Sequence, residues 1–250
     1  MTERRFRVEG ALDAGARVPL SSAAGKHARV LRLAVGADVV LFDGRGAEAE
    51  AILVSTGDAP MAEVRLVRAT RERWHVVLVV GVPKAAALDP LLRGATEAGA
   101  SEIRLFEAER SVVHADGDRA ARKLERWARI VEEAARQSER GLVPPLSLHR
   151  SLPEAIADRV MDTRLVGLDA RRGSDVRLVL RPPCPASMLV LGPEGGLTDR
   201  ELALLESSGA VIARAPLPVL RVETAATLLT GLAALAVDVA DATPEDRQMR

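Results

Sequence analysis

Two short stretches toward the C-terminus hold the residues with chemistry to offer: Gly192-Pro193-Glu194-Gly195-Gly196 and Arg221-Val222-Glu223-Thr224-Ala225. The first follows an apolar run of strand length at residues 188–191. It precedes Thr198, with Glu201 three positions on, which is the pattern of a capping box at a helix start. A strand thus passes into a helix through a loop with adjacent glycines. Such glycines permit positive φ or close approach of backbone to a ligand, beside the free N–H groups of a helix N-terminus. An ordinary glycine-rich strand-to-helix turn has the same composition. The second stretch sets a guanidinium and a carboxylate on either side of Val222, behind the stiff apolar loop Ala215-Pro216-Leu217-Pro218-Val219-Leu220. Arg221 can offset negative charge that builds during a reaction. Glu223 can accept a proton, orient Arg221, or simply complement the dipole of the helix it opens.

The elements that would position these stretches follow from periodicity. Residues 1–69 contain short apolar runs at 6–8, 30–35, 39–42, 51–54 and 64–67, separated by turn residues such as Asp43-Gly44-Arg45-Gly46. That spacing predicts a small β-barrel or sandwich. The brief polar segment 69–73 marks a domain boundary. Beyond it strands and helices alternate, which predicts a largely parallel α/β sheet over residues 74–242. Residues 75–82 form a continuous apolar run suited to a central strand. Leu88, Leu91, Leu92, Ala95 and Ala98 recur at helical spacing up to Gly99. Further strands are expected at 103–106, 146–148, 164–168 and 211–213, with helices at 152–161 and 223–240 and a flexible polar tail at 243–250. The longest helix is expected at 118–140. At 100° per residue, Arg119, Arg122, Arg126, Arg129, Arg136 and Arg140 share one face, and Leu124, Trp127, Val131, Ala134 and Ala135 share the other, which must be the buried one.

Composition bounds the function. Lys+Arg and Asp+Glu are both 35, so the net charge is zero, and any nucleic-acid surface must come from local segregation of charge. Lys26, Lys84 and Lys123 are the only lysines, and the cationic charge is otherwise carried by arginine, which suits phosphate forks and base stacking. Cys184 is the single cysteine, which leaves no disulfide framework or thiolate cluster and fits a reducing cytoplasm. No metal site is expected, because His27, His75, His114 and His149 lack ligand spacing. No run reaches the ~20 apolar residues needed to span a bilayer.

The pair of motifs, Gly192-Pro193-Glu194-Gly195-Gly196 followed by Leu220-Arg221-Val222-Glu223-Thr224-Ala225, resembles the bacterial 16S rRNA uracil-N3-methyltransferases of the SPOUT superfamily. Matches in the N-terminal part include Arg4-Arg5-Phe6-Arg7-Val8 and Leu41-Phe42-Asp43-Gly44, and further matches occur at Thr96-Glu97, Glu109-Arg110-Ser111 and residues 134–140. The resemblance implies an N-terminal PUA-like β-barrel that binds RNA and a C-terminal SPOUT α/β domain with a trefoil knot. It implies a cytoplasmic homodimer acting on ribosomal RNA or the small ribosomal subunit, with S-adenosylmethionine as methyl donor. Donor-binding positions carried over are Leu168, Leu191, Gly192, Glu194, Gly195, Gly196, Pro216, Leu217, Val219 and Leu220. Arg221 and Glu223 carry over as catalytic residues. RNA contacts fall on Arg4, Arg5, Arg7, Arg32, Arg110, Arg136, Gln137 and Arg140. Pro216 and Pro218 stand where the family has a glycine and an arginine. That departure keeps open two further functions: a related enzyme with another target atom, and a non-catalytic RNA-binding assembly factor.

Overall fold

The computed structural model describes residues 4–57, 59–69, 72, 74–111, 117–159, 162–182, 184 and 186–236. Contacts divide the chain into two compact units, Met1–Glu72 with Glu132–Val143, and Arg73–Val131 with Pro144–Arg250.

In the first unit the elements are β1 (Arg5–Arg7), β2 (Arg17–Pro19), α1 (Ser22–Val30), β3 (Asp38–Phe42), β4 (Ala47–Ser55) and β5 (Met61–Ala69). They form one sheet in the order β1-β3-β4-β5-β2, with β1 parallel to β3 and every other pair antiparallel. The β3–β4 turn is fixed by Asp43, whose Oδ1 accepts from the N–H groups of Arg45 and Ala47. The sheet curls around Phe6, Leu41, Leu53 and Ala62, all buried. The run 30–35 is not a strand. Ser21 caps α1 by accepting the Ala24 N–H, the helix takes residues up to Val30, and Val30 and Val35 end 77% and 61% exposed. A cap with helix-forming alanines behind it outweighed the β-branched valines.

The second unit contains β6 (His75–Gly81), α2 (Ala85–Glu97), β7 (Glu102–Phe106), α3 (Gly117–Gln137), β8 (Leu146–His149), α4 (Leu152–Ala155), β9 (Arg164–Leu168), β10 (Ser174–Asp175), α5 (Val176–Val179), β11 (Ala186–Leu191), α6 (Asp199–Ser207), β12 (Val211–Arg214) and α7 (Val222–Leu235). The residues of α3 from Glu132 onward belong to the first unit. All seven strands are parallel, in the order β10-β12-β9-β11-β6-β7-β8. As the run 75–82 requires, β6 is central, and Leu78, Val79 and Val80 are wholly buried. Each such side chain contributes about 1.5–3 kcal/mol. On α3, Trp127, Val131, Ala134 and Ala135 are buried while Arg122, Arg126 and Arg129 face solvent, as the helical count predicts. The expected helix at 152–161 is only α4. Ile156 ends it, and Asp158 turns left-handed at φ 53°. The short pair β10 and α5 carried no signal in the periodicity; Asp175 caps α5 through the Arg177 N–H. Residues 237–240 of the expected last helix and the tail 243–250 lie outside the described residues. No helix among the described residues is long and apolar enough to cross a membrane.

His149 closes β8 with its Nε2 2.8 Å from the Ser147 hydroxyl. Burial first, and then Arg104, hold its imidazole below the ordinary pKa. The unfolded chain therefore binds a proton more readily than the fold. This contribution to stability is complete above the unfolded pKa, near 6.5, and fades as pH falls through the lowered folded value. Urea unfolding between pH 7.5 and 5 is expected to show a stability loss that His149→Gln reduces; equal slopes for both proteins would refute that assignment.

Candidate functional site

The carboxyl ends of β9, β11 and β12 are level, with Leu168 opposite both Leu191 and Ala213. Their spatial order is β12-β9-β11, so the chain leaving β11 returns on the far side of β9. Ligands bind at such points in open α/β sheets, outside the strand carboxyl ends where connections diverge. Here the three following loops, the start of α7 and Arg110 line one cavity of about 550 Å³.

Each loop is held by identifiable bonds. After β9, the Asp169 N–H bonds the Ala213 carbonyl, and Asp169 Oδ1 accepts from the N–H groups of Arg171 and Arg172. Arg172 then reaches Asp199 at the head of α6, bringing two walls of the cavity together. After β11 the chain folds back on itself: a Cβ on Gly192 would lie 2.3 Å from the Gly196 carbonyl carbon and 2.4 Å from the Leu197 nitrogen. Gly196 takes φ +71°, and its N–H closes a turn on the Pro193 carbonyl. Glu194 Oε1 accepts the Lys84 N–H at 3.0 Å, so this carboxylate ties its loop to the entry of α2. The expected capping box is present, Thr198 Oγ1 accepting the Glu201 N–H and Glu201 Oε2 the Thr198 N–H.

Of the residues expected to bind a donor, Leu168, Leu191, Gly192, Glu194, Gly195, Gly196, Leu217, Val219 and Leu220 all line this cavity. Pro216 does not. Its neighbours Ala215 and Leu217 both do, as does Pro218. Asp169, Arg171, Arg172 and Asp199 also line it. The signal for them in sequence is only the strand end at Gly167-Leu168-Asp169-Ala170, which says where the loop begins and not which side chains turn inward. The lining combines backbone polar groups and aliphatic side chains with a few charged residues, the composition of a small-molecule site.

Arg221 is the N-cap residue of α7 and lies between lining residues Leu220 and Val222. Its side chain makes no capping bond, is 87% exposed, and sits 4.0 Å from Glu223, which is 22% exposed. Arg110 lines the cavity, donating from Nη1 to the Gly195 carbonyl at 2.6 Å.

The other arginines expected to meet RNA sort by burial. Arg5 is 4% exposed, bonds Glu48 at 2.6 Å and lies 5.3 Å from the Phe42 ring centre. Arg140 is 9% exposed and forks onto Glu72 with bonds of 2.8 and 2.7 Å. Both are committed to holding the first unit together, and sequence spacing alone does not separate such residues from surface ones. Arg4 and Arg32 are exposed, and Arg7 is 40% exposed beside Glu132. Arg136 and Gln137 both bond Glu133, and the Arg136 guanidinium holds that carboxyl below its ordinary pKa. His27 packs edge-on to Phe6 and lies 3.5 Å from Arg136. Burial raises the Cys184 thiol above its ordinary pKa, as expected of a packing residue. Among the described residues no three His, Cys, Asp or Glu side chains gather into a ligand set.

Residues 70–234 match the RNA methyltransferase domain family, and residues 20–59 match the RNA methyltransferase PUA domain. The ribosomal RNA small subunit methyltransferase E of Mycobacterium tuberculosis is 33% identical, the match covering 98% of this chain and 97% of that protein. Its Bacillus subtilis counterpart is 32% identical over 78% of this chain and 80% of its own. Among solved structures, a ribosomal RNA small subunit methyltransferase E from Neisseria gonorrhoeae bound to S-adenosyl methionine superposes with a TM-score of 0.85. It is 26% identical, covering 94% of this chain and 98% of that one.

The two loop glycines are expected to fail differently. Alanine at 192 meets backbone that cannot swing aside, whereas alanine at 196 has open space and only the left-handed φ to bear. Overpacking costs about 1–3 kcal/mol and left-handed backbone about 1–2. Gly192→Ala is therefore expected to lower the melting temperature by about 2–12 °C, and at least as much as Gly196→Ala. An unchanged melting curve for Gly192→Ala would contradict the close approach.

Proposed function

The chain belongs to the ribosomal RNA small subunit methyltransferase E family, and from that premise we infer that it methylates N3 of a uridine in 16S rRNA, using S-adenosylmethionine. The observation that carries this inference is the convergence of the loops after β9, β11 and β12, with the head of α7, on one cavity. The aliphatic walls formed by Leu168, Leu191 and Leu220 suit an adenine ring, and the backbone of residues 192–196 suits polar groups of the donor. When bound, the donor supplies an electrophilic methyl on a sulfonium, and this chemistry needs no metal.

The protein's own task is to place uridine N3 in line with that methyl and to stabilise charge on the pyrimidine oxygens as the N3 proton leaves. Arg221 has the position in the chain for that role. Its guanidinium is exposed, and its backbone is the N-cap of α7 between the lining residues Leu220 and Val222. Glu223, 4.0 Å away, orients it or takes the proton. RNA contacts are assigned to Arg4, Arg7, Arg32, Arg136 and Gln137, whose side chains reach solvent. In this proposal the first unit is a PUA-like barrel, the β9–β12 region is a trefoil knot, and the enzyme works in the cytoplasm. We also assign a homodimer, supported by Leu217, Val219, Leu228 and Leu235, which are 51%, 75%, 45% and 82% exposed on and before α7.

Nucleoside analysis of 16S rRNA from cells lacking the protein is expected to show loss of one 3-methyluridine. Loss of a different methylated nucleoside identifies another target atom, and no loss with retained RNA binding identifies an assembly factor that has altered its loop at Pro216 and Pro218. In single-turnover assays, Arg221→Ala is expected to slow methyl transfer by about 10²-fold or more while donor affinity stays within about threefold. A wild-type rate would remove Arg221 from the chemistry.

A further inference from the structure

The loop 192–196 is too short and too glycine-rich to hold its own shape, and most of what holds it comes from elsewhere in the sheet. The largest external contribution is Arg110, on the turn after β7. Its Nη1 donates to the carbonyls of both Gly195, at 2.6 Å, and Leu197, at 3.4 Å. The aliphatic stem packs on the same loop: a Cβ on Gly195 would stand 3.1 Å from Arg110 Cδ and 3.3 Å from its Cβ.

The turn that carries Arg110 is anchored in its own right. Ser111 Oγ accepts the Ala108 N–H at 3.1 Å and donates to the Val82 carbonyl at 3.0 Å, fixing the turn to the end of β6. On the other flank, Glu201 is 6% exposed and uses its two carboxylate oxygens on two different elements. Oε2 caps α6, and Oε1 accepts the Glu109 N–H at 3.1 Å. The capping carboxylate of the helix that follows the loop therefore also fixes the residue next to Arg110, and Arg110 returns to the loop.

We propose that Arg110 is a positioning residue for the methyl-donor loop, held in register by Glu201, and that its main effect is on donor affinity. This deepens the methyltransferase assignment and rests on it. A guanidinium already bonded to two loop carbonyls contributes by keeping the N–H groups and carbonyls of residues 192–197 where a bound donor needs them. Simple RNA contact by Arg110 would instead weaken RNA binding and leave the donor alone.

The experiment measures S-adenosylmethionine affinity by isothermal titration, and affinity for an rRNA fragment without donor by anisotropy, in wild type, Arg110→Ala, Arg110→Lys and Gly195→Ala. Arg110→Ala is expected to weaken donor binding about tenfold, the loss of one charge-assisted hydrogen bond, with RNA affinity within about twofold. In steady-state assays the loss is expected to fall more on the KM for donor than on kcat. Arg110→Lys, which keeps the stem and one donor group, should recover part of the loss. Gly195→Ala, whose closest added contacts are to the Arg110 stem, should weaken donor binding alone but add little in the Arg110→Ala background. Donor affinity unchanged in Arg110→Ala, or a loss confined to RNA binding, overturns the proposal. Failure of the wild-type protein to bind donor at all would overturn the methyltransferase assignment and this proposal with it, whereas donor binding by wild type that Arg110→Ala leaves unchanged overturns this proposal alone.

Discussion

Close approach of backbone to backbone at Gly192 is the constraint on which the site depends. The chain leaves β11, folds back so that Gly192 lies against Gly196 and Leu197, and enters α6 within a few residues. This reversal exposes main-chain polar groups to the cavity in place of side chains. It is possible only because residue 192 has no Cβ and residue 196 accepts φ +71°. Such a loop has few contacts of its own, so neighbouring strands must supply them. Glu194 reaches the start of α2, Arg110 reaches in from β7, and Arg172 bonds Asp199 across the rim. The methyl-donor site is in this sense a property of four strand ends.

Net neutrality has a consequence for how such a protein meets a polyanion. Most of the arginines that face solvent near a carboxylate are paired with it: Arg7 with Glu132, Arg17 with Glu63, Arg68 with Glu50, Arg126 with Asp89. Exposed pairs contribute only about 0–1 kcal/mol, so a phosphate can displace the acid at little cost. Arg5 and Arg140 are different, because taking a guanidinium from a buried carboxylate leaves an uncompensated charge inside the fold. Burial, and not the count of arginines, decides which of them are available to RNA.

The features legible in the sequence were those governed by local rules. The capping box at Thr198 and Glu201, the run of β6 and the two faces of α3 each follow from residue spacing. That residues 192–196 and 216–220 would share one site was legible from the family resemblance of two motifs, both in the second unit. Other features were set by contacts between distant residues. Nothing local marks residues 132–143 as part of the first unit, since α3 runs through the division without a break in periodicity. The second role of Glu201 was hidden because its capping bond already explained it. Nor does the motif show that Pro216 stands off the cavity wall while Ala215 and Leu217 line it.

The same logic extends to the reactive end of the site. Arg221 makes no capping bond and is almost fully exposed, so its own surroundings do little to place it. Its position comes from α7, whose buried stripe of Val222, Ala226, Leu229, Thr230 and Ala233 seats the helix on the sheet and on α2. The setting of α7 along α2 is fixed where Gly94 faces Thr227: a Cβ there would fall 2.1 Å from the threonine Oγ1, so the two helices touch at a point that only glycine allows. Thr227 is itself bonded back to the Glu223 carbonyl, two residues from Arg221. A missing methyl group on a helix outside the cavity thus sets where α7 lies along α2, and with it the point on the backbone from which the Arg221 side chain starts.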